Sequence, residues 1–74
     1  MKRYRNLEGH SGVVAYEITD HAIKVRFRDG DTYLYNDAAT GAAAVARMQA
    51  LALAGRGLST FISKYVRDKY AAKL

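Results

Sequence analysis

The run Ile23-Lys24-Val25-Arg26-Phe27-Arg28 alternates apolar and cationic residues without a break. A period of two fits a strand with one face buried and one in water. Asp29-Gly30-Asp31 then supplies a turn, and Tyr33-Leu34-Tyr35 continues the alternation beyond it. The sequence therefore predicts a β-hairpin. One face is apolar, and the other carries the three cations Lys24, Arg26 and Arg28.

The hairpin has neighbours of both structural types. Upstream, Val13-Val14-Ala15-Tyr16-Glu17-Ile18 is rich in β-branched and aromatic residues, and Thr19-Asp20-His21 reads as a turn. Three strands in an antiparallel meander result. Residues 1–11 are polar and basic and read as a poorly ordered arm, which leaves residues 12–74 as the domain. After Asn36-Asp37 the period lengthens to about 3.6. A helix is expected from Thr40 to Ala54, started by Thr40 or Asp37 and ended by a left-handed glycine at Gly55 or Gly57. A second is expected from about Ser59 to Ala72, with Leu58, Phe61, Ile62, Tyr65, Val66 and Tyr70 on its apolar stripe. The expected fold is α+β, a three-stranded antiparallel meander followed by two helices packed on one sheet face.

Turn length decides where the tyrosines fall. A two-residue turn at Asp29-Gly30 pairs Val25 with Leu34 and sets Tyr33 and Tyr35 beside Lys24 and Arg26 on the open face. A three-residue loop, Arg28-Asp29-Gly30, pairs Val25 with Tyr33 and Ile23 with Tyr35, so the tyrosines turn inward. The second register buries two aromatics, each contributing about 1.5–3 kcal/mol when fully buried. A chain of 74 residues with two Phe, six Tyr and no Trp is short of large core residues, which favours that register.

Composition narrows the function. The chain has no cysteine, so disulfides and thiolate metal sites are excluded, and a reducing cytoplasm suits it. No apolar run approaches a membrane span. The start, Met1-Lys2-Arg3-Tyr4-Arg5, lacks the apolar stretch of a secretory signal. Twelve Lys and Arg against seven Asp and Glu give a net charge of +5 and a pI near 9.8. That balance favours polyanionic partners, or serves solubility alone.

The motifs tested for chemistry are unrewarding. Gly9-His10-Ser11-Gly12 resembles a nucleophile elbow, but Val13 stands where glycine is required. His10 and His21 lack a carboxylate at ligand spacing and read as solvated loop residues. Asp29, Asp31 and Asp37 read as turn or cap residues. No enzyme, metal or cofactor is expected. Gly55-Arg56-Gly57-Leu58-Ser59-Thr60 has the parts of a phosphate site, with glycines, hydroxyls and a helix start, yet reads more simply as a tight interhelical turn.

The pattern Phe27-x-x-Gly30-x-x-Tyr33-x-Tyr35, followed by a helix, a glycine and a final basic helix, resembles the KTSC domain over residues 11 to 70. That family is named from the C-terminus of some lysyl-tRNA synthetases and also occurs as short bacterial proteins. The chain has Ala38-Ala39 where the family has Val-Pro. The resemblance implies RNA as a partner and no enzymatic activity. The leading expectation is an RNA-binding module. Lys24, Arg26 and Arg28 would meet phosphates, Tyr33 or Tyr35 would stack a base if exposed, and Arg56, Lys64 and Arg67 would extend the basic surface. The alternative is a protein-interaction module or homodimer that uses the sheet edge or open face.

Overall fold

The computed structural model describes residues 1–9 and 11–74; His10 lies outside them. The chain is α+β, with helices packed on one face of an antiparallel sheet, but the sheet has five strands rather than three. They are β1 (Lys2–Arg3), β2 (Val13–Thr19), β3 (Ala22–Phe27), β4 (Thr32–Asn36) and β5 (Ala72–Lys73), neighbours in sequence order. The meander β2-β3-β4 forms as expected. Both ends of the chain then extend it by one short strand each.

The segment read as an arm contributes to the fold. Lys2 pairs with Tyr16 and Arg3 with Ala15, and the Tyr4 amide donates to the Val14 carbonyl at 2.9 Å. Tyr4 is only 3% exposed and belongs to the core. A buried tyrosine two residues past Lys2 explains why so polar a stretch holds to an edge.

The hairpin takes the three-residue loop. Ile23 pairs with Tyr35 and Val25 with Tyr33. The Gly30 amide donates to the Phe27 carbonyl at 2.9 Å, the Phe27 amide to Asp31 at 2.8 Å, and Gly30 sits at φ 99°. Tyr35 is thus 1% exposed, Tyr33 half-buried and Leu34 on the opposite face. On the other side of β3 the register shifts between Val13 and Ala15. This bulge lets Val13 enter the core opposite Phe27 while Ala15 faces outward opposite Arg26.

The helical half departs further from expectation. The first helix is split into α1 (Asp37–Thr40) and α2 (Ala42–Ala54), with Gly41 at φ 99° between them. Its start is capped by Asn36, whose side chain accepts from the Ala39 amide at 2.9 Å, and not by Thr40 or Asp37. Gly55 ends α2 at φ 76°, as the sequence predicts. A Cβ there would also fall 2.8 Å from the Arg5 Cβ, so glycine is required twice over.

The second helix is much shorter than expected. It comprises α3 (Leu58–Phe61) and a π-helical stretch (Ile62–Val66). Wider winding aligns Leu58, Ile62 and Val66 at intervals of four, all buried, and leaves Tyr65 outside. The helix stops at Arg67, whose φ of 38° and ψ of −105° suit a non-glycine residue poorly, at a cost of roughly 1–3 kcal/mol. Residues 69–74 then return along β4 instead of continuing the helix to Ala72. Tyr33 pairs with Lys73 and Leu34 with Ala72.

The core lies between this layer and one sheet face. Tyr4, Val13, Tyr16, Ile23, Val25 and Tyr35 from the sheet meet Met48, Ala52, Leu58, Ile62 and Val66.

Candidate nucleic-acid interface

Strand alternation separates the aromatic residues from the strand cations. Tyr16, Val25 and Tyr33 occupy one row of paired positions, and Ile18, Ile23 and Tyr35 the next, all beneath the helices. The intervening residues point away from the core. One outward row runs Arg3, Ala15, Arg26, Thr32 across four strands, and the next runs Glu17, Lys24, Leu34, Ala72. None of these residues belongs to the core cluster.

The spacing on this open face follows from the sheet itself. Lys24 and Arg26 are two residues apart on one strand, about 6.8 Å. Arg3 and Arg26 flank Ala15 at a separation of two strands, about 9.6 Å. Ala15 between them is too small to screen either side chain. Arg26 is steadied by its Nε, which donates to Thr32 Oγ1 at 3.3 Å. Lys24 faces Glu17 across the strand pair, with Nζ 3.6 Å from Oε2. Both side chains are roughly 40% exposed, so the pair contributes at most about 1 kcal/mol and holds Lys24 only weakly. Arg28 stands at the end of β3, its Nη2 on the Ser11 carbonyl at 3.1 Å. Glu17 is the one acid at the paired positions of this face.

Arg3 lies outside the sequence candidates. Its signal is nevertheless present. Arg3-Tyr4-Arg5 repeats the cation–aromatic–cation order of Arg26-Phe27-Arg28, and in both the aromatic goes inward.

The remaining candidates lie elsewhere. Tyr35 is buried, and burial pushes its phenol up to about 12, helped by neighbouring Tyr33 and Tyr70. Tyr33 is covered by Phe27, Tyr70 and Lys73, with ring centroids 5.8 Å from Phe27 and 4.7 Å from Tyr70. Neither tyrosine shares a face with Lys24 and Arg26. Lys64 and Arg67 are exposed but belong to the helical layer on the far side.

Arg56 borders a polar cup of about 180 Å³ together with Tyr4, Glu8, Ser59 and Thr60. There the Leu58 amide already donates to the Tyr4 hydroxyl at 3.3 Å, and Glu8 adds a negative charge. The cup is therefore a poor phosphate site. Among the described residues, no three His, Cys, Asp or Glu side chains gather into a set able to hold a metal ion. No helix among them is long and apolar enough to cross a membrane. No family model, curated protein or solved structure matches this chain.

Proposed function

We propose that the chain is a small non-enzymatic binding module that takes the phosphate backbone of RNA on its open sheet face. The observation that supports this most is the uncovered face itself, with Arg3, Lys24 and Arg26 at outward positions, Arg28 at its end, and Glu17 as its one acid. Binding rests on phosphate neutralisation and counterion release. The KTSC-like pattern around Tyr33-x-Tyr35 supports the same partner, and a cysteine-free chain suits RNA in the cytoplasm.

Because no aromatic side chain among the described residues lies on this face, base stacking contributes little. The module tracks the backbone with weak sequence preference. Tyr33 and Tyr35, on the opposite face, offer RNA no aromatic platform here. Four cations meeting a single-stranded RNA give a salt slope of roughly −2 to −3, since each neutralised phosphate contributes about −0.7. Fluorescence-anisotropy titrations with single-stranded RNA, repeated across salt concentrations, test this. Binding that tightens steeply at low salt is expected, and no binding at the lowest salt would overturn the reading.

A further inference from the structure

We infer that the C-terminal strap, residues 69–74, exchanges between two copies of this chain to form a strand-swapped dimer. The inference is independent of the RNA reading. It rests on how the strap is attached, on what it covers and on the hinge before it.

The strap touches mainly the β4 edge and its aromatic groove. The Ala71 amide donates to the Leu34 carbonyl at 2.7 Å and the Leu74 amide to Thr32 at 2.8 Å. Lys73 lies 3.4 Å from Asp31 and sits over the Tyr33 ring at 5.9 Å. The Asp31 carboxylate beside it holds the Lys73 ammonium above its usual range. Tyr70 is the anchor. Its ring is 4.7 Å from Tyr33 and 6.4 Å from Tyr35, at a groove that Phe27 and Ile62 also line. The Thr40 hydroxyl donates to the Lys69 carbonyl.

These contacts specify the occupant. With the strap lifted, the edge offers unpaired backbone groups on β4, an aromatic slot and the carboxylate of Asp31. It asks for an antiparallel strand with an aromatic residue and, three positions later, a cation. Tyr70 and Lys73 meet that description, and a second copy carries the same pair. Exchange therefore reproduces the contacts of residues 70–74 with β4 and its aromatic groove between chains instead of within one. The hinge supplies the bias. In the closed chain the strap doubles back through Arg67 at φ 38°, with the Lys69 amide on the Val66 carbonyl at 2.6 Å. An extended hinge releases Arg67 from that conformation. The hinge is short, so the two β4 edges must lie close together in the dimer.

The absence of native cysteine makes the test clean. Leu34 and Ala72 are directly opposed across β4 and β5, a separation suited to a disulfide. The single variants Leu34→Cys and Ala72→Cys are mixed, unfolded in denaturant, refolded together at high protein concentration and oxidised. A disulfide-linked heterodimer well in excess of the homodimers formed by either variant alone is expected. Light scattering on the unmodified chain after the same refolding should show a dimer, and Arg67→Gly should lower its share several-fold. A wild-type chain that is wholly monomeric after this treatment overturns the proposal. So does a dimer whose linked heterodimer is no more abundant than in the single-variant controls.

Discussion

The two faces of this sheet are built from alternate residues of the same strands, yet they obey different physics. On the helix side Tyr16, Ile23, Val25 and Tyr35 are closed off from water. On the other side Arg3, Lys24 and Arg26 stay in water, and a single exposed ion pair links Lys24 to Glu17. A small domain has little hydrophobic surface to spare, so its large aromatics go to the core. What remains for recognition is charge. The contrast assigns stability to one face and leaves the other for the proposed RNA binding, and substitutions should separate the two cleanly.

The largest effect should come from the buried face. Tyr35→Ala should cost about 3–5 kcal/mol, comparable to the whole stability of a domain this size, and a thermal melt should show the variant largely unfolded. On the open face, reversing Lys24, Arg26 and Arg28 to Glu should weaken RNA binding by at least about 100-fold while shifting the melting temperature little. A reversed variant that binds normally would break the division of labour.

Alkaline pH sharpens the comparison further. The Tyr35 phenol is raised to about 12 in the folded chain against about 10 when unfolded. Above pH 10 the unfolded chain releases this proton and the folded chain does not. The stability tied to Tyr35 is therefore intact below pH 10 and lost as pH rises to 12. Relative to Tyr35→Phe, the wild type should lose roughly 2–3 kcal/mol over that window in denaturant titrations. Parallel curves for the two proteins would contradict the burial of the phenol.

Smaller effects map the open face in detail. Arg3→Ala should flatten the salt slope by about 0.7, the share of one phosphate contact. Glu17→Gln should tighten RNA binding roughly two- to threefold, because it frees Lys24 and removes the one acid. An unchanged slope in the first, or weaker binding in the second, would remove those residues from the interface.

The contrast between faces was largely legible in the sequence. The alternation in Ile23–Arg28, and the shortage of large core residues, together point to the three-residue loop and to buried tyrosines. The two edge strands were not legible. Lys2-Arg3 and Ala72-Lys73 are too short and too polar to carry a strand signal, and they pair only because β2 and β4 present open edges. Ala71-Ala72 even favours a helix locally, and the tertiary contacts of Tyr70 and Lys73 override it. The split at Gly41 and the π-helical stretch were hidden for a related reason. Both are set by how α2, Leu58, Ile62 and Val66 meet the sheet, and local periodicity does not report that. With β1 hidden, Arg3 is hidden too, since an arm has no face.

The central claim is that RNA meets the open face, and chemical-shift mapping tests it most directly. Titrating single-stranded RNA into isotopically labelled protein at low salt should move the resonances of Arg3, Ala15, Lys24, Arg26 and Leu34, and leave those of Met48, Leu58 and Tyr65 in place. Shifts confined to the helical layer around Lys64 and Arg67, with the open face silent, would contradict the account.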